Sequence, residues 1–154
     1  MRILLVEDDI IQSDFICDAL EQEFPGGEVE LIKTEQEFRS RLDNIAKRTP
    51  DVVIMDVMLR WTDPSPDQVP SPEDVREEGH YRAGFRCRKL LSERGQTKDV
   101  PVILYTVLDH ADISHELQDI SIGEVQYLRK ESSAGPLLRS VRKFGGGKGG
   151  QRSG

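Results

Sequence analysis

Two short apolar runs that each end in acidic residues constrain the fold of this chain more than any other feature. Residues 3–6 are followed by three acids at 7–9, and residues 52–55 are followed by Asp56. Apolar runs of this length are typical of strands that are buried on both faces of a parallel sheet. Because the carboxyl ends of such strands line the ligand-binding crevice of an open α/β sheet, we expect the two acidic groups to meet there.

A cluster of carboxylates at one sheet edge favours a bound cation. Neighbouring carboxylates resist being ionised together unless a positive group lies between them. A hard divalent cation with oxygen ligands is the natural partner for such a group. The sequence therefore predicts a Mg²⁺ site at this edge.

Composition excludes several function classes. A length of 154 residues indicates one domain, and the net charge of −7 argues against nonspecific binding to nucleic acid or to anionic membranes. The chain has two cysteines, no stretch that resembles a signal peptide, and no apolar run near the roughly 20 residues of a membrane span. We therefore expect a cytoplasmic protein.

Strand and helix patterns alternate along most of the chain. Strands are predicted at 2–6, 28–33, 52–55, 100–105 and 125–129, and helices at 11–24, 34–47, 84–94, 110–120 and 135–144. In the first helix, Ile11, Phe15, Ala19 and Leu20 are predicted to form the buried stripe. Five strands alternating with five helices predict an α/β fold, a doubly wound five-stranded parallel sheet with helices on both faces. The glycine-rich residues 145–154 are predicted to form a flexible tail.

The segment 60–83 departs from this alternation. It contains four prolines among many acidic residues, a composition that opposes regular structure. We interpret it as a proline-rich acidic insertion, and a loop of this length is either functional or disordered. Trp61 has two interpretations. It packs locally against the domain, or it serves as an anchor for a partner.

Further polar residues follow the later strands. Thr106 follows the fourth predicted strand, Lys130 follows the fifth, and Tyr127 lies three residues before Lys130. All these strand ends share one edge of a doubly wound sheet. A metal-binding acidic group, a lone carboxylate at Asp56, a hydroxyl and an ammonium suit phosphoryl transfer to that carboxylate.

In these residues and in their order along the chain, the sequence resembles the receiver domain of bacterial two-component response regulators, the CheY-like family. The resemblance covers residues 1–144 apart from the proline-rich segment, and it implies a flavodoxin-like sheet of order 2-1-3-4-5. It also implies a role for each matching residue. The implied roles are phosphoacceptor for Asp56; metal ligands for Asp8, Asp56, the backbone carbonyl of Met58 and, through water, Glu7; and phosphate binding or switching for Thr106, Lys130 and Tyr127.

The resemblance implies a stand-alone response regulator that is not an enzyme. A histidine kinase or phosphotransfer protein would phosphorylate Asp56 with Mg²⁺, and the product would bind a downstream target protein rather than nucleic acid or a membrane. Three positions depart from the family pattern: Arg60 replaces a proline, Val107 replaces a small residue, and Glu131 replaces the proline after the lysine. The family's glycine at the start of the third helix is matched by Gly84.

These departures leave a second interpretation open, a degenerate receiver that binds proteins without phosphorylation. Two other classes fit the sequence less well. An aspartyl-phosphate phosphatase would place a second acid two residues after Asp56, where Met58 stands. A flavin-binding protein would have a phosphate-binding loop after the first strand, where residues 7–9 would repel a phosphate.

Overall fold

A computed structural model of the protein describes residues 1–64, 70–119 and 125–149. The described chain contains a single five-stranded sheet whose paired strands are all parallel, in the order β2-β1-β3-β4-β5. The strands are β1 (Arg2–Val6), β2 (Glu28–Ile32), β3 (Val52–Met55), β4 (Val102–Thr106) and β5 (Val125–Arg129). The predicted fold class and strand order are confirmed.

Helices cover both faces of the sheet. They are α1 (Ile10–Glu23), α2 (Glu35–Ser40), α3 (Leu42–Lys47), α4 (Glu73–Glu78), α5 (Ala83–Ser92), α6 (His110–Asp119) and α7 (Gly135–Gly149), with a 3-10 turn at His80–Arg82 before α5. Buried residues of α1 and α7 pack on one face, and those of α2, α3, α5 and α6 pack on the other. Among the described residues, no helix is both long enough and apolar enough to span a membrane.

The apolar strands lie at the centre of the sheet. Successive side chains of a strand alternate between the two faces, so Leu4 joins one core cluster while Ile3 and Leu5 join the other. Because helices cover both faces of the sheet, β3 is buried at every position. The edge strands β2 and β5 carry polar residues and are only partly buried.

The buried face of α1 differs from the predicted one. Leu20 is buried as predicted, together with Ile16 and Ser13, whereas Ile11 is 79% exposed and Phe15 is 40% exposed. Two stripes of this helix have the spacing of a buried face, so periodicity alone did not distinguish them. Packing on the sheet selects the stripe that contains Ile16, which shares Leu20 with the predicted one.

The predicted helix over 34–47 is two short helices. The chain breaks at Arg41, whose N–H donates to the carbonyls of Glu37 and Phe38. The predicted cap at Thr34 is present, because its hydroxyl accepts the N–H of Glu37 at 3.1 Å.

The segment 60–83 has more regular structure than its composition predicted. It contains α4 and the 3-10 turn, and Val75 of α4 is buried. The prolines stand before α4, and Pro72 is its N-cap, so none of them interrupts the helix. Residues 65–69 lie outside the described chain, and the interpretation of the segment as an insertion stays a prediction.

The last helix continues through Gly149, into the residues for which the sequence predicted a flexible tail. Gly145 lies against the Met1 side chain, in a position where a Cβ atom would overlap the sulfur. A side chain at this position would therefore require the Met1 side chain to move. Residues 150–154 of the predicted tail lie outside the described chain.

Candidate functional site

The parallel strands place two acidic residues next to each other at the carboxyl edge of the sheet. Glu7 follows β1, and its N–H donates to Ile32 at 3.0 Å; Asp56 follows β3, and its N–H donates to Val6 at 3.0 Å. These bonds continue the sheet ladder past the strand ends. One carboxylate oxygen each from Glu7, Asp8 and Asp56 lies within 4.8 Å of the others.

Lys130 connects two of these carboxylates. Its backbone N–H donates to Thr106 at 2.7 Å, which fixes the loop after β5 against the end of β4. Its ammonium lies 2.7 Å from Glu7 Oε2 and 2.8 Å from Asp56 Oδ2. All three side chains are more than nine-tenths buried, so both ion pairs are shielded from water.

The electrostatics of this cluster favour an added cation. Burial, together with the neighbouring Asp56, raises the pKa of Glu7 to about 8 despite the opposing effect of Lys130. Burial by itself would lower the pKa of Lys130, but Asp56 and Glu7 outweigh it and raise that pKa, so the ammonium stays charged. One lysine therefore does not neutralise the carboxylates, and their oxygen atoms fit a hard divalent cation such as Mg²⁺.

Asp8 has a different partner. Its Oδ2 accepts the backbone N–H of Arg60 at 3.1 Å and lies 3.5 Å from the Arg60 guanidinium. Asp9 does not join the cluster; it caps α1 by accepting the N–H of Gln12 at 2.9 Å. The contact with Arg60 was not predicted from the sequence, in which this residue stands out only because it replaces the family's proline.

The backbone after Asp56 is held from two sides. The N–H of Met58 donates to Asp56 Oδ1 at 3.2 Å, and the N–H of Gly84 donates to the carbonyl of Val57 at 2.9 Å. A Cβ atom on Gly84 would overlap the Asp56 carbonyl oxygen and would lie 2.7 Å from Val57 Cα. Glycine is required at this position because α5 begins against the backbone that carries Asp56.

Thr106 and Tyr127 are linked through the loop after β4. The fully buried Thr106 accepts the N–H of Leu108 on its hydroxyl at 3.3 Å. The phenol of Tyr127 donates to the carbonyl of Leu108 at 2.5 Å, and its ring packs edge-on against His110. Val107, the departure next to Thr106, is 55% exposed.

A buried ion-pair network lies behind the site. The Arg86 guanidinium of α5 binds both carboxylate oxygens of Glu35 in α2, at 2.6 and 2.9 Å. Arg86 also donates to the carbonyl of Gly79, which ends α4, and Arg39 binds both Glu35 and Asp74 of α4 at 2.8 Å. This network was not anticipated, because nothing in the spacing of these residues distinguishes them from solvated charges.

The predicted site residues thus fall into two connected groups. Glu7, Asp8 and Asp56 form the acidic cluster with Lys130, and Met58 contacts it through its N–H. The other group is the pair Thr106 and Tyr127, which Leu108 joins.

No model of a protein family matches the chain. Two curated proteins are similar to it: "Response regulator MprA" of Mycolicibacterium vanbaalenii, 29% identical over 92% of this chain and 49% of that protein, and "Protein-glutamate methylesterase/protein-glutamine glutaminase" of a Nocardioides species, 22% identical over 93% of this chain and 32% of that protein. The chain spans between about a third and a half of the length of these relatives.

Solved structures of receiver domains share the fold. The receiver domain of the sensor histidine kinase PA1611 from Pseudomonas aeruginosa PAO1 has a TM-score of 0.66 and 20% identity, over 94% of this chain and 97% of that one. That structure has a magnesium ion coordinated in its active-site cleft. At this identity the likeness establishes the fold.

Proposed function

Because the chain has the fold of a response regulator receiver domain, we propose that Asp56 accepts a phosphoryl group and that the phosphorylated protein signals by binding another protein. One observation carries the proposal. The Asp56 carboxylate is buried at the carboxyl edge of the sheet, in contact with the Lys130 ammonium and next to the oxygens of Glu7 and Asp8. A carboxylate placed among a cation and further metal-ligand oxygens suits phosphoryl transfer better than a structural role.

The transfer breaks one bond and forms one. An Asp56 carboxylate oxygen attacks the phosphorus of a phosphohistidine, the new P–O bond forms, and the P–N bond breaks with its electron pair left on the imidazole nitrogen. Lys130 pairs with the anionic phosphoryl oxygens through the ammonium that now contacts Asp56 and Glu7. The product is an aspartyl phosphate, so the protein is a phosphoacceptor and not itself a catalyst of further chemistry.

The acidic cluster fits the Mg²⁺ ion that this chemistry requires. Asp8, Asp56 and the backbone carbonyl of Met58 would hold it directly, and Glu7 through a water molecule. When bound, the ion neutralises charge on the phosphoryl oxygens and on the carboxylates. The close approach of three carboxylate oxygens and the raised pKa of Glu7 support this assignment.

The link between Thr106 and Tyr127 supports a route to the surface. If the Thr106 hydroxyl turns toward a phosphoryl oxygen, it no longer accepts the Leu108 N–H. The loop then moves, and the Tyr127 phenol, which holds the Leu108 carbonyl, moves with it. Phosphorylation would thus shift an equilibrium between two arrangements of this face.

The proposed partners are proteins. A histidine kinase or a phosphotransfer protein in the cytoplasm supplies the phosphoryl group, and a downstream target recognises the face near Thr106 and Tyr127.

The decisive test is the intact mass of the protein after incubation with acetyl phosphate. We expect a single phosphoryl adduct that requires Mg²⁺ and is absent from the Asp56→Asn variant. Asp43→Asn is the matched control, because Asp43 lies on α3 and its side chain is 79% exposed. The control should form the adduct as the wild type does.

A second candidate function has one observation in its favour. Arg60 already neutralises Asp8, as a residue would in a receiver that binds proteins without metal or phosphate. Absence of any adduct from the folded wild type, with and without Mg²⁺, would refute phosphorylation and favour this degenerate module.

Hydrogen exchange at Leu108 tests the proposed switch. We expect the Leu108 amide to exchange faster after phosphorylation, because Thr106 then turns away from it. In Thr106→Ala the amide has no such acceptor, so its exchange should be fast in both forms. Equal protection of Leu108 in the two forms of the wild type would contradict this route.

A further inference from the structure

The geometry points to a role for Arg60: we propose that its guanidinium competes with Mg²⁺ for Asp8 and thereby sets the metal affinity of the site. This inference rests on the proposed metal site, and it adds a residue that no comparison assigns. Arg60 acts on the site through Asp8, which is the proposed metal ligand that it contacts.

The contacts of Arg60 with Asp8 involve a single oxygen. The backbone N–H and the guanidinium of Arg60 both approach Asp8 Oδ2, at 3.1 and 3.5 Å. Asp8 Oδ2 is therefore held by one hydrogen bond and one ion pair from the same residue. A cation that binds Asp8 must share this carboxylate with the guanidinium.

The charges of the cluster make the competition electrostatic. Lys130 places one positive charge against Glu7 and Asp56, and Arg60 places a second against Asp8. Each fixed positive charge reduces the attraction of the cluster for a divalent ion. Removing the guanidinium restores one negative charge at the site.

The side chain of Arg60 is free to change partner while its backbone stays in place. The carbonyls of Arg60 and Trp61 accept the N–H groups of Glu35 and Gln36 at 3.0 Å, which fixes the segment to the first turn of α2. The guanidinium is about half exposed, and Asp63 lies 3.9 Å from it as an alternative partner. The backbone N–H can therefore remain on Asp8 after the guanidinium has left.

Trp61 offers a built-in signal for this event. It is the single tryptophan of the chain, and it lines a cavity of about 490 Å³ together with Asp8, Arg60, Val75 and His80. Movement of the Arg60 guanidinium from Asp8 changes the charge next to this cavity. The fluorescence of Trp61 is therefore expected to report metal binding.

The experiment measures the dissociation constant for Mg²⁺ by calorimetry and by Trp61 fluorescence, without phosphodonor. We expect Arg60→Gln to bind Mg²⁺ about two- to fivefold more tightly than the wild type, which is the range for a partly exposed ion pair. Arg60→Lys keeps the charge and should stay near the wild-type value. Arg48→Gln, the same charge change at a side chain that is 66% exposed and pairs with Glu28, should also bind as the wild type does.

The salt dependence of Mg²⁺ binding distinguishes competition between charges from a steric effect. The gain in Arg60→Gln should shrink in 0.5 M NaCl, because salt screens exposed charges. A gain of equal size at both salt concentrations would indicate steric room and overturn the competition, as would equal affinities of Arg60→Gln and wild type. Binding of Mg²⁺ by neither protein would overturn this inference and the proposed metal site together, whereas a metal-binding wild type with an unchanged variant would leave the proposed function intact.

Discussion

Replacing Arg86 by methionine is expected to destabilise the domain by about 3–5 kcal/mol, the range for removing one partner of a buried ion pair. The guanidinium is 6% exposed and binds both oxygens of Glu35, which is fully buried. Methionine fills much of the volume but leaves the carboxylate with Arg39 as the remaining ion-pair partner among the described residues. A buried carboxylate with incomplete pairing is costly, and this cost is the reason for the expected effect.

The same substitution should loosen α4. Arg86 also donates to the carbonyl of Gly79 at 2.8 Å and pairs with Glu78 at 3.3 Å, so it connects the end of α4 to α5. Without these bonds, α4 is still held to α2 by the ion pair between Arg39 and Asp74. We expect proteolysis in the segment before α5 to be faster in the variant.

Urea unfolding at neutral pH measures the effect on the free energy of unfolding. Arg48→Met is the control, because Arg48 and its partner Glu28 are both largely exposed, and its midpoint should stay near that of the wild type. The double variant Glu35→Gln/Arg86→Met removes the incompletely paired charge and should be more stable than Arg86→Met. If Arg86→Met unfolds at the wild-type midpoint, the network does not contribute to the free energy of unfolding and this account of it is wrong.

The sheet could be predicted from the sequence because its central strands carry a signal of their own. The apolar runs of β1 and β3 are typical of strands that are buried on both faces of a parallel sheet, and their apolar residues are buried. Once two such strands each end in acids, the parallel order brings the acids together. The contact of Asp56 with Lys130 follows from chain topology rather than from any local pattern.

The features that could not be predicted depend on contacts between distant segments. Glu35 and Arg86 are 51 residues apart, and each looks like a solvated charge on its own helix. The buried face of α1 was predicted correctly at Leu20 but not at Ile11 and Phe15, because two stripes had a suitable spacing. The choice between them is made by the sheet against which the helix packs.

The positions that were compared with the family pattern could be interpreted physically only with the fold in hand. Arg60 was noted as a missing proline, but only the fold shows that its side chain reaches Asp8, 52 positions earlier in the chain. Gly84 was aligned with the family's glycine across a long segment. The structure supplies the physical reason for glycine there, which is the backbone of Asp56.

The contact at Gly84 makes a second prediction with a large effect: Gly84→Ala should lower both stability and phosphorylation. Alanine is the better helix former by about 1 kcal/mol, so at an open position in α5 it would stabilise the domain. At this position the new methyl overlaps the carbonyl oxygen of Asp56 and crowds Val57, and both are backbone atoms that cannot rotate away. Overpacking of this kind costs about 1–3 kcal/mol, which outweighs the gain in helix propensity.

The functional effect follows from the atoms that must move. Relief of the clash requires the backbone at Asp56 to shift, and its carboxylate is positioned by 2.8 Å and 3.2 Å contacts with Lys130 and Met58. We therefore expect the rate of Mg²⁺-dependent adduct formation with acetyl phosphate to fall more than tenfold, since misplacement of a reacting group by about 1 Å costs about 100-fold.

Gly95→Ala provides the matched control for this variant. A Cβ on Gly95 meets nothing within 4 Å, so that protein should unfold and react as the wild type does. If Gly84→Ala were as stable and as reactive as Gly95→Ala, the backbone at Asp56 would yield without cost, and close packing against α5 would not be what positions the phosphoacceptor. If instead Gly84→Ala loses stability but keeps the wild-type rate, the clash is relieved by movement of α5, and the acidic cluster is positioned by Lys130 and the sheet ladder alone.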